Sequence, residues 1–286
     1  MRKILLSLYK KLKSVFSGKG LHKIFPIGMM HAFLIRRLKS DYAEVQGHKM
    51  FLDPQDTLDL SLNGIYEPLE TELVKREVRT GDIVLDLGAN IGYFTLIFAK
   101  IVGEEGRVYA FEPDPKNFAL LQKNVRANGY NNVTFVQKAV SNTTGSTKLF
   151  LCPDASDTRI YDPGDNRPTI EIESVRLDDY FTGGGRKIDF IKMDIQGAEG
   201  GALQGMAGLI KENRVKMVTE FWPKGLQGVG IDRDECMRLL LHYGFKLYQI
   251  DDEKNSVDPA DIPEIFRKYT VEKGNVHANL FCVKES

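Results

Sequence analysis

Ile83-Val84-Leu85-Asp86-Leu87-Gly88-Ala89-Asn90-Ile91-Gly92-Tyr93-Phe94 carries most of what this chain discloses about its fold. An apolar run ends in an acid, passes through a glycine turn and enters a helical pattern. Roughly twenty residues on, a second apolar run, Val108-Tyr109-Ala110-Phe111, also ends in an acid, Glu112. Strand, glycine turn and helix start gather backbone N–H groups around a small ligand at the carboxyl edge of a sheet. An acid at the tip of the next strand can accept hydrogen bonds from a ribose diol. The pair of strand tips predicts a nucleoside-bearing cofactor in a doubly wound α/β domain.

The spacing of the glycines separates two cofactor classes. A dinucleotide loop needs G-x-G-x-x-G, with a middle glycine that lets the backbone approach a pyrophosphate. Counted from Gly88, that place is held by Asn90, and no glycine falls at Ile91 or Tyr93. A side chain at 90 crowds a pyrophosphate and tolerates the smaller methionine end of S-adenosyl-L-methionine. Asp86, Gly88, Asn90 and Gly92 therefore form the expected cofactor loop, with Asp86 on the cationic amino group or the turn backbone and Glu112 on the ribose. The plainer alternative is a βα turn whose glycines only permit close packing and whose acid caps a helix.

Beyond residue 80 strands and helices alternate, as in a mainly parallel sheet. Strands are expected at 83–87, 108–111, 133–140, 188–193, 215–221, 245–250 and 278–283, the last one antiparallel. This is the seven-stranded, Rossmann-like methyltransferase order. Residues 141–175, punctuated by Asn142, Gly145, Pro153, Pro163-Gly164 and Pro168, read as a small β insertion near the mouth of the site. The adenine is expected over the end of the third strand, around Ala139, held by backbone contact.

A second constellation follows the fourth strand. Ile191-Lys192-Met193-Asp194-Ile195-Gln196-Gly197-Ala198-Glu199 ends a strand and opens a helix, and Glu220 sits at the tip of the fifth strand. In open α/β sheets ligands bind at this edge, near the topological switch point. Asp194 is the candidate base or acceptor-orienting carboxylate, against a plain role as a turn carboxylate bonding its own downstream N–H groups. Glu199 lies in a first helical turn, where the dipole favours an acid regardless. Glu220 is a candidate for binding the acceptor. Oxygen ligands from Asp194, Glu199 and Glu220 would suit Mg²⁺, but nothing else in the chain supports a metal and none is expected. Lys192 either neutralises these acids or carries its ammonium out to water. His277 is a weaker candidate base than Asp194.

Taken together, Asp86-Leu87-Gly88-Ala89-Asn90-Ile91-Gly92-Tyr93-Phe94-Thr95, Glu112-Pro113, Leu177-Asp178-Asp179-Tyr180, the run from Asp189 to Glu199, and Glu220 resemble the FkbM family of S-adenosylmethionine-dependent methyltransferases. Tyr66-Glu67 and Asn279 are similar to that family's flanking signals. The resemblance spans roughly residues 60–284. It implies methyl transfer to a hydroxyl of a small molecule, sugar, glycan, polyketide or lipid-linked acceptor, with Glu67 beside the methionine end of the cofactor. An RNA methyltransferase and a non-catalytic cofactor-binding scaffold are the alternatives. An Asn/Asp-Pro-Pro-Tyr motif of nitrogen methylation does not occur at the fourth strand.

Charge is unevenly spread along the chain. Over its 286 residues the formal net charge is zero, yet residues 1–40 hold ten Lys and Arg and no acid, leaving 29 bases against 39 acids elsewhere. Within that segment Ile4, Leu5, Leu8, Leu12, Val15 and Phe16 recur at helical spacing among lysines. Residues 1–60 are expected to be a basic helical extension to a catalytic domain at 61–286. Its residues 1–25 can lie on a membrane interface or pack on the protein. Lysines interrupt the apolar stretch, which is therefore not a signal peptide. Nucleic acid is a poor fit, because the basic residues lack interleaved aromatics and the remaining body is acidic. The three cysteines are widely separated, which suits a reducing cytoplasm, with the inner membrane face as the place for such a helix.

Overall fold

The computed structural model describes residues 42–152, 158–182 and 187–284. The expected amphipathic helix and its membrane contact at 1–25 lie outside these residues. The chain divides into two compact units, Met1–Tyr66 and Glu67–Ser286. In the described part of the first, β1 (Tyr42–Val45) and β2 (His48–Phe51) form an antiparallel hairpin, followed by the short helix α1 (Leu60–Asn63). Gln46 and Gly47 both have positive φ, 51° and 78°, the conformation that matches the twist of a two-residue hairpin turn. The expectation of helix through residue 60 is thus corrected at 42–51. Alternation of side chains there puts Val45, His48 and Met50 inside, a period of two that no helix shares.

The second unit is the doubly wound sheet. In chain order it comprises α2 (Pro68–Glu77), β3 (Ile83–Leu87), α3 (Tyr93–Val102), β4 (Arg107–Phe111), α4 (Pro115–Ala127), β5 (Val133–Val136), β6 (Ala139–Val140), β7 (Gly145–Phe150) and β8 (Thr169–Val175). There follow α5 (Leu177–Tyr180), β9 (Phe190–Met193), α6 (Glu199–Gly205), α7 (Ala207–Glu212), β10 (Lys216–Phe221), α8 (Pro223–Gly228), α9 (Arg233–His242), β11 (Phe245–Asp251), β12 (Ser256–Pro259), α10 (Ile262–Lys268) and β13 (Ala278–Lys284). The main sheet runs β12-β11-β13-β10-β9-β3-β4-β5. Its β10, β9, β3, β4 and β5 are parallel, and β13 inserts antiparallel between β10 and β11. The strand order reverses between β3 and β9, so the ligand crevice of such a sheet opens over their carboxyl ends.

Both faces of the central strands are buried, as parallel strands require. Leu85, Leu87, Ile191, Met193 and Met217 share one core cluster with Ala202, Leu203, Met206, Leu209, Ile210, Met237 and Leu240 from α6, α7 and α9 and the turn joining α6 to α7. Intervening residues face the other layer, where Phe98 of α3 lies 5.9 Å from Phe190. Phe98, Phe111, Phe190 and Phe221 are among the largest fully buried side chains, each contributing roughly 1.5–3 kcal/mol by burial.

Two details differ from expectation. The third strand stops at Val136, and Ala139–Val140 instead pair in parallel with Ser174–Val175 in a separate sheet, β6-β8-β7. The switch is made across Gln137-Lys138, with Lys138 paired to Glu173 at 2.6 Å. Ala139 therefore belongs to the second sheet, its place in the strand pairing held by β8. The main sheet also gains an eighth strand, β12, which pairs antiparallel with β11 at the edge.

Glycine contacts fix the loop after β9. Gly197 has φ 97°, and a Cβ there would meet Gly225 Cα at 2.5 Å; a Cβ on Gly225 would meet Gly197 Cα at 2.7 Å and overlap the Trp222 ring. Gly225→Ala is expected to destabilise the protein by about 1–3 kcal/mol through overpacking, even though alanine favours a helix by about 1 kcal/mol. Chemical unfolding measures this, and an unchanged or increased midpoint would contradict the close contact.

Candidate active site

The turn after β3 is built on three positive-φ residues, Gly88 (84°), Asn90 (50°) and Gly92 (95°). At Gly88 the positive φ is joined by a close approach: a Cβ would overlap the carbonyl oxygen of Asp194. The two strand-end loops thus touch backbone to backbone, and the Asp194 N–H donates to Leu87 O at 3.0 Å. Gly88 and Ala89 donate their N–H groups to Phe111 O at 3.0 and 2.9 Å. From α4, Asn124 donates its side-chain amide to Ile91 O at 2.7 Å.

Glu112 closes this loop from β4. Its Oε2 accepts the Asn90 N–H at 2.8 Å and its Oε1 the Asp114 N–H at 2.9 Å. Each oxygen keeps a lone pair for another donor. Burial drives the Glu112 carboxyl up to about 8, with its two backbone hydrogen bonds opposing the rise. Asp86 is also buried and is raised to about 6 by desolvation, against the Thr95 hydroxyl that donates to it and the charge of Lys192. Asp86 and Lys192 are directly paired positions on β3 and β9.

Around Lys192 lies a cluster of acids. Its Nζ is 3.1 Å from Glu70, 3.6 Å from Glu67 and 3.9 Å from Asp194, and 4.9 Å from the centre of the Phe94 ring. The ammonium is buried rather than carried to water, which decides between the two readings of Lys192. Glu67, the N-cap position of α2, has φ 42° and no capping bond from its side chain; its carboxylate faces the lysine instead. Glu67 is raised well above the ordinary carboxylate range by burial and by Glu70.

Glu199 opens α6 and turns back to accept the N–H groups of Ile195 at 2.9 Å and Gly197 at 3.3 Å. Desolvation lifts it to about 7 against these bonds. Glu220 is raised well above its ordinary range by burial and by the charges of Asp194 and Glu199. Its Oε1 lies 3.2 Å from His277 Nδ1. Glu199 Oε2 and Glu220 Oε2 are buried with no hydrogen-bond partner among the described residues, whereas Glu67 Oε2 and Glu70 Oε2 face the Lys192 ammonium. Asp194 accepts from the Gln196 amide at 2.9 Å. Its side chain is 24% exposed, against 10% for Glu220 and 1% for Glu70.

The structure therefore brings Asp86, Gly88, Asn90, Gly92 and Glu112 together at one strand end, and Glu67, Asp194, Glu199 and Glu220 around the neighbouring one. Glu70 was not anticipated. Its signal was available, since three residues from Glu67 on a helix brings both acids to one side. Thr95, in the first turn of α3, donates its hydroxyl to Asp86, a role that the loop motif alone does not reveal.

The residue set fits S-adenosylmethionine and disfavours a dinucleotide. Acids with one buried lysine repel a pyrophosphate, and Asn90 occupies the place where the backbone would have to approach it. Unpartnered carboxylate oxygens suit a ligand that brings positive charge, and Glu112 retains acceptor capacity for a diol. When bound, that cofactor supplies an electrophilic methyl group. Among the described residues no group of three or more His, Cys, Asp or Glu has an arrangement that would hold a metal, and no helix is long and apolar enough to cross a membrane.

The chain is similar to known proteins. The chain is 43% identical over 81 residues to 31-O-demethyl-FK506 methyltransferase FkbM of Streptomyces tacrolimicus, covering 28% of this chain and 30% of that protein. It is 25% identical over 178 residues to 2-O-methyltransferase NoeI of Sinorhizobium fredii (strain NBRC 101917 / NGR234), covering 54% and 72%. At 43% identity the chain spans less than a third of its relatives' own lengths, 28% and 30%. The crystal structure of methyltransferase FkbM from Methylobacillus flagellatus KT matches with a TM-score of 0.42 and 17% identity, over 80% of this chain and 53% of that one. The model of the methyltransferase FkbM domain matches residues 86–247, more than half of the sequence and both strand-end loops. The chain belongs to the FkbM family of S-adenosylmethionine-dependent methyltransferases.

Proposed function

We propose that this methyltransferase acts on oxygen, moving the methyl group to a hydroxyl of a small-molecule, sugar, glycan or lipid-linked acceptor. The observation that carries this reading is Asp194. It stands at the tip of β9 against the cofactor loop, and it is more exposed than Glu67, Glu70 and Glu220 around it. A hydroxyl is a weak nucleophile until it sheds its proton, and a positioned base contributes roughly 100- to 10,000-fold. Two relatives carry O-methyl transfer in their names, which supports the same class.

Each residue then has a task. Glu112 receives the ribose hydroxyls, while Gly88, Asn90 and Gly92 shape the loop that Glu112 holds by its bond to the Asn90 N–H. Asp86 and Glu67 bring negative charge to the cationic methionine end. Ala139 meets the adenine by backbone. Asp194 accepts or orients the acceptor hydroxyl, Glu220 faces the acceptor from β10, and Glu199 holds the 195–197 turn through its two accepted N–H bonds. Holding the nucleophile in line with the methyl group contributes on the order of 7–11 kcal/mol.

Three measurements test the assignment. Glu112→Ala should weaken calorimetric binding of S-adenosylmethionine by about tenfold or more, the loss of one or two hydrogen bonds; unchanged affinity removes Glu112 from the ribose. With methyl-labelled cofactor and a panel of hydroxyl-bearing acceptors, the label should appear in a product stable to mild alkali. Asp194→Asn should then lower turnover about a hundredfold with cofactor affinity within about threefold. Alkali-labile label, the mark of a carboxyl ester, would overturn the hydroxyl reading, and full turnover of the variant would overturn the role of Asp194.

A further inference from the structure

We propose that the carboxylates gathered around Lys192 form a proton store, which empties when the sulfonium-bearing methyl donor binds and refills with the proton lost by the acceptor hydroxyl. The inference rests on the methyl-transfer reading above and adds a fate for that proton.

Methyl transfer to a hydroxyl leaves a charge to place. An oxygen lone pair forms the O–CH₃ bond, the S–CH₃ bonding pair returns to sulfur, and the O–H proton is released. A sulfonium and an alcohol thus become a neutral thioether, an ether and one proton. In water the proton is solvated, but the acids at this site are largely dry, and their own charge balance decides where it goes.

The groups facing one another come from every element at this edge. Glu67 and Glu70 lie on α2 and at its start, Asp86 on β3, Lys192 on β9 with Asp194 just beyond it, Glu199 on α6 and Glu220 on β10. His277 lies beside Glu220, the charge of Glu70 bears on Asp252, and that of Glu199 bears on Cys236. Lys192 is the one lysine buried among the described residues. Glu199 Oε2 and Glu220 Oε2 are buried without a hydrogen-bond partner there, so these atoms are where protons are held. Burial and mutual repulsion set Glu199 at about 7 and raise Glu67 and Glu220 as well. A cation within about 4–6 Å favours the ionised form of a carboxyl by roughly 1–3 pKa units. Bringing positive charge to the site therefore expels a proton, and losing it at the methyl-transfer step restores proton affinity as the hydroxyl proton is freed. His277, with 45% of its side chain exposed and 3.2 Å from Glu220 Oε1, connects the store to solvent for the next cycle.

The sign follows from linkage. A ligand that favours ionised carboxylates binds more tightly as pH rises through their raised range, by up to about tenfold per pH unit for each proton released. S-adenosylmethionine and S-adenosylhomocysteine share adenosine and methionine ends and differ in the methyl group and the sulfur charge, so their difference isolates the effect. Titration calorimetry of the full chain at pH 6.5, below the α-amino range of either ligand, in two buffers of different ionisation heat, counts the protons. We expect S-adenosylmethionine to release at least about half a proton more than S-adenosylhomocysteine, and the ratio of their affinities to rise about three- to tenfold per unit between pH 6 and 7.5. Glu199→Gln and, separately, Glu220→Gln should each shrink the excess. Equal proton counts for two ligands that both bind would overturn the store and leave the proposed activity standing. Binding of neither would overturn both. The wild-type comparison holds even where a variant fails to fold.

Discussion

The constraint on which the site depends is the passage of the Asp194 carbonyl over Gly88. Parallel neighbours β3 and β9 end at the same edge, and ordinary side chains would hold their loops apart. With no Cβ at 88, the carbonyl settles where that atom would be, and the Leu87 carbonyl takes the Asp194 N–H. Gly197 and Gly225 repeat the arrangement on the far side of the same loop, backbone against backbone. The chain accepts left-handed conformations at Glu67, Asn90 and Gln196 nearby, each a cost of roughly 1–2 kcal/mol of the kind that collects at ligand sites. The result is that Asp86, Asp194, Glu199 and Glu220 are forced into one small volume.

Such crowding is unfavourable unless positive charge is supplied. A pair of unit charges about 4 Å apart gains on the order of 4 kcal/mol at an effective dielectric constant of 20, while each ion buried loses several kcal/mol of hydration. Lys192 can compensate Glu70 and part of Glu67 and Asp194, and the face of Phe94 below it adds a weaker attraction. Its charge also bears on Glu220, but burial and the neighbouring acids outweigh it there, and burial and Asp194 raise Glu199. The remaining options are a bound proton or a bound cation. A site that is exchanging one for the other matches a cofactor whose reactive atom is itself positive before transfer and neutral afterward.

Strand tips were the legible part of this site. A short apolar run closing on an acid identifies Asp86, Glu112, Asp194 and Glu220 without any structure, because position at a sheet edge follows from the chain alone. What a helix contributes from elsewhere is harder to see: Glu70 reads as an ordinary surface acid on α2 until packing seals it against Lys192. The fate of Lys192 was undecidable for the same reason, since alternation gives its face of the sheet but not what covers that face. Residues 133–140 carry apolar residues at both ends, Val133, Phe135 and Val136 and then Ala139 and Val140, and only the arrival of β8 thirty residues later pulls 139–140 out of the main sheet. The β12 edge strand has little burial to mark it, with two of its four residues exposed, so it left no alternation to read.

Burial also sorts the acids by task. A carboxylate that must meet an acceptor arriving from solvent needs an open side, whereas one that keeps a proton through a catalytic cycle must be shielded from water. Asp194, whose carboxylate accepts the neighbouring Gln196 amide and whose side chain is a quarter exposed, satisfies the first condition. Glu199 satisfies the second, since two backbone N–H groups lock one oxygen while the other stays dry. Glu220 stands between them, its side chain 10% exposed on β10 and next to a histidine that is nearly half exposed. The sequence places all three as similar acids near strand ends, and it is their graded access to water, set by how α6, β10 and the segment before β13 close over the edge, that makes their chemistry different.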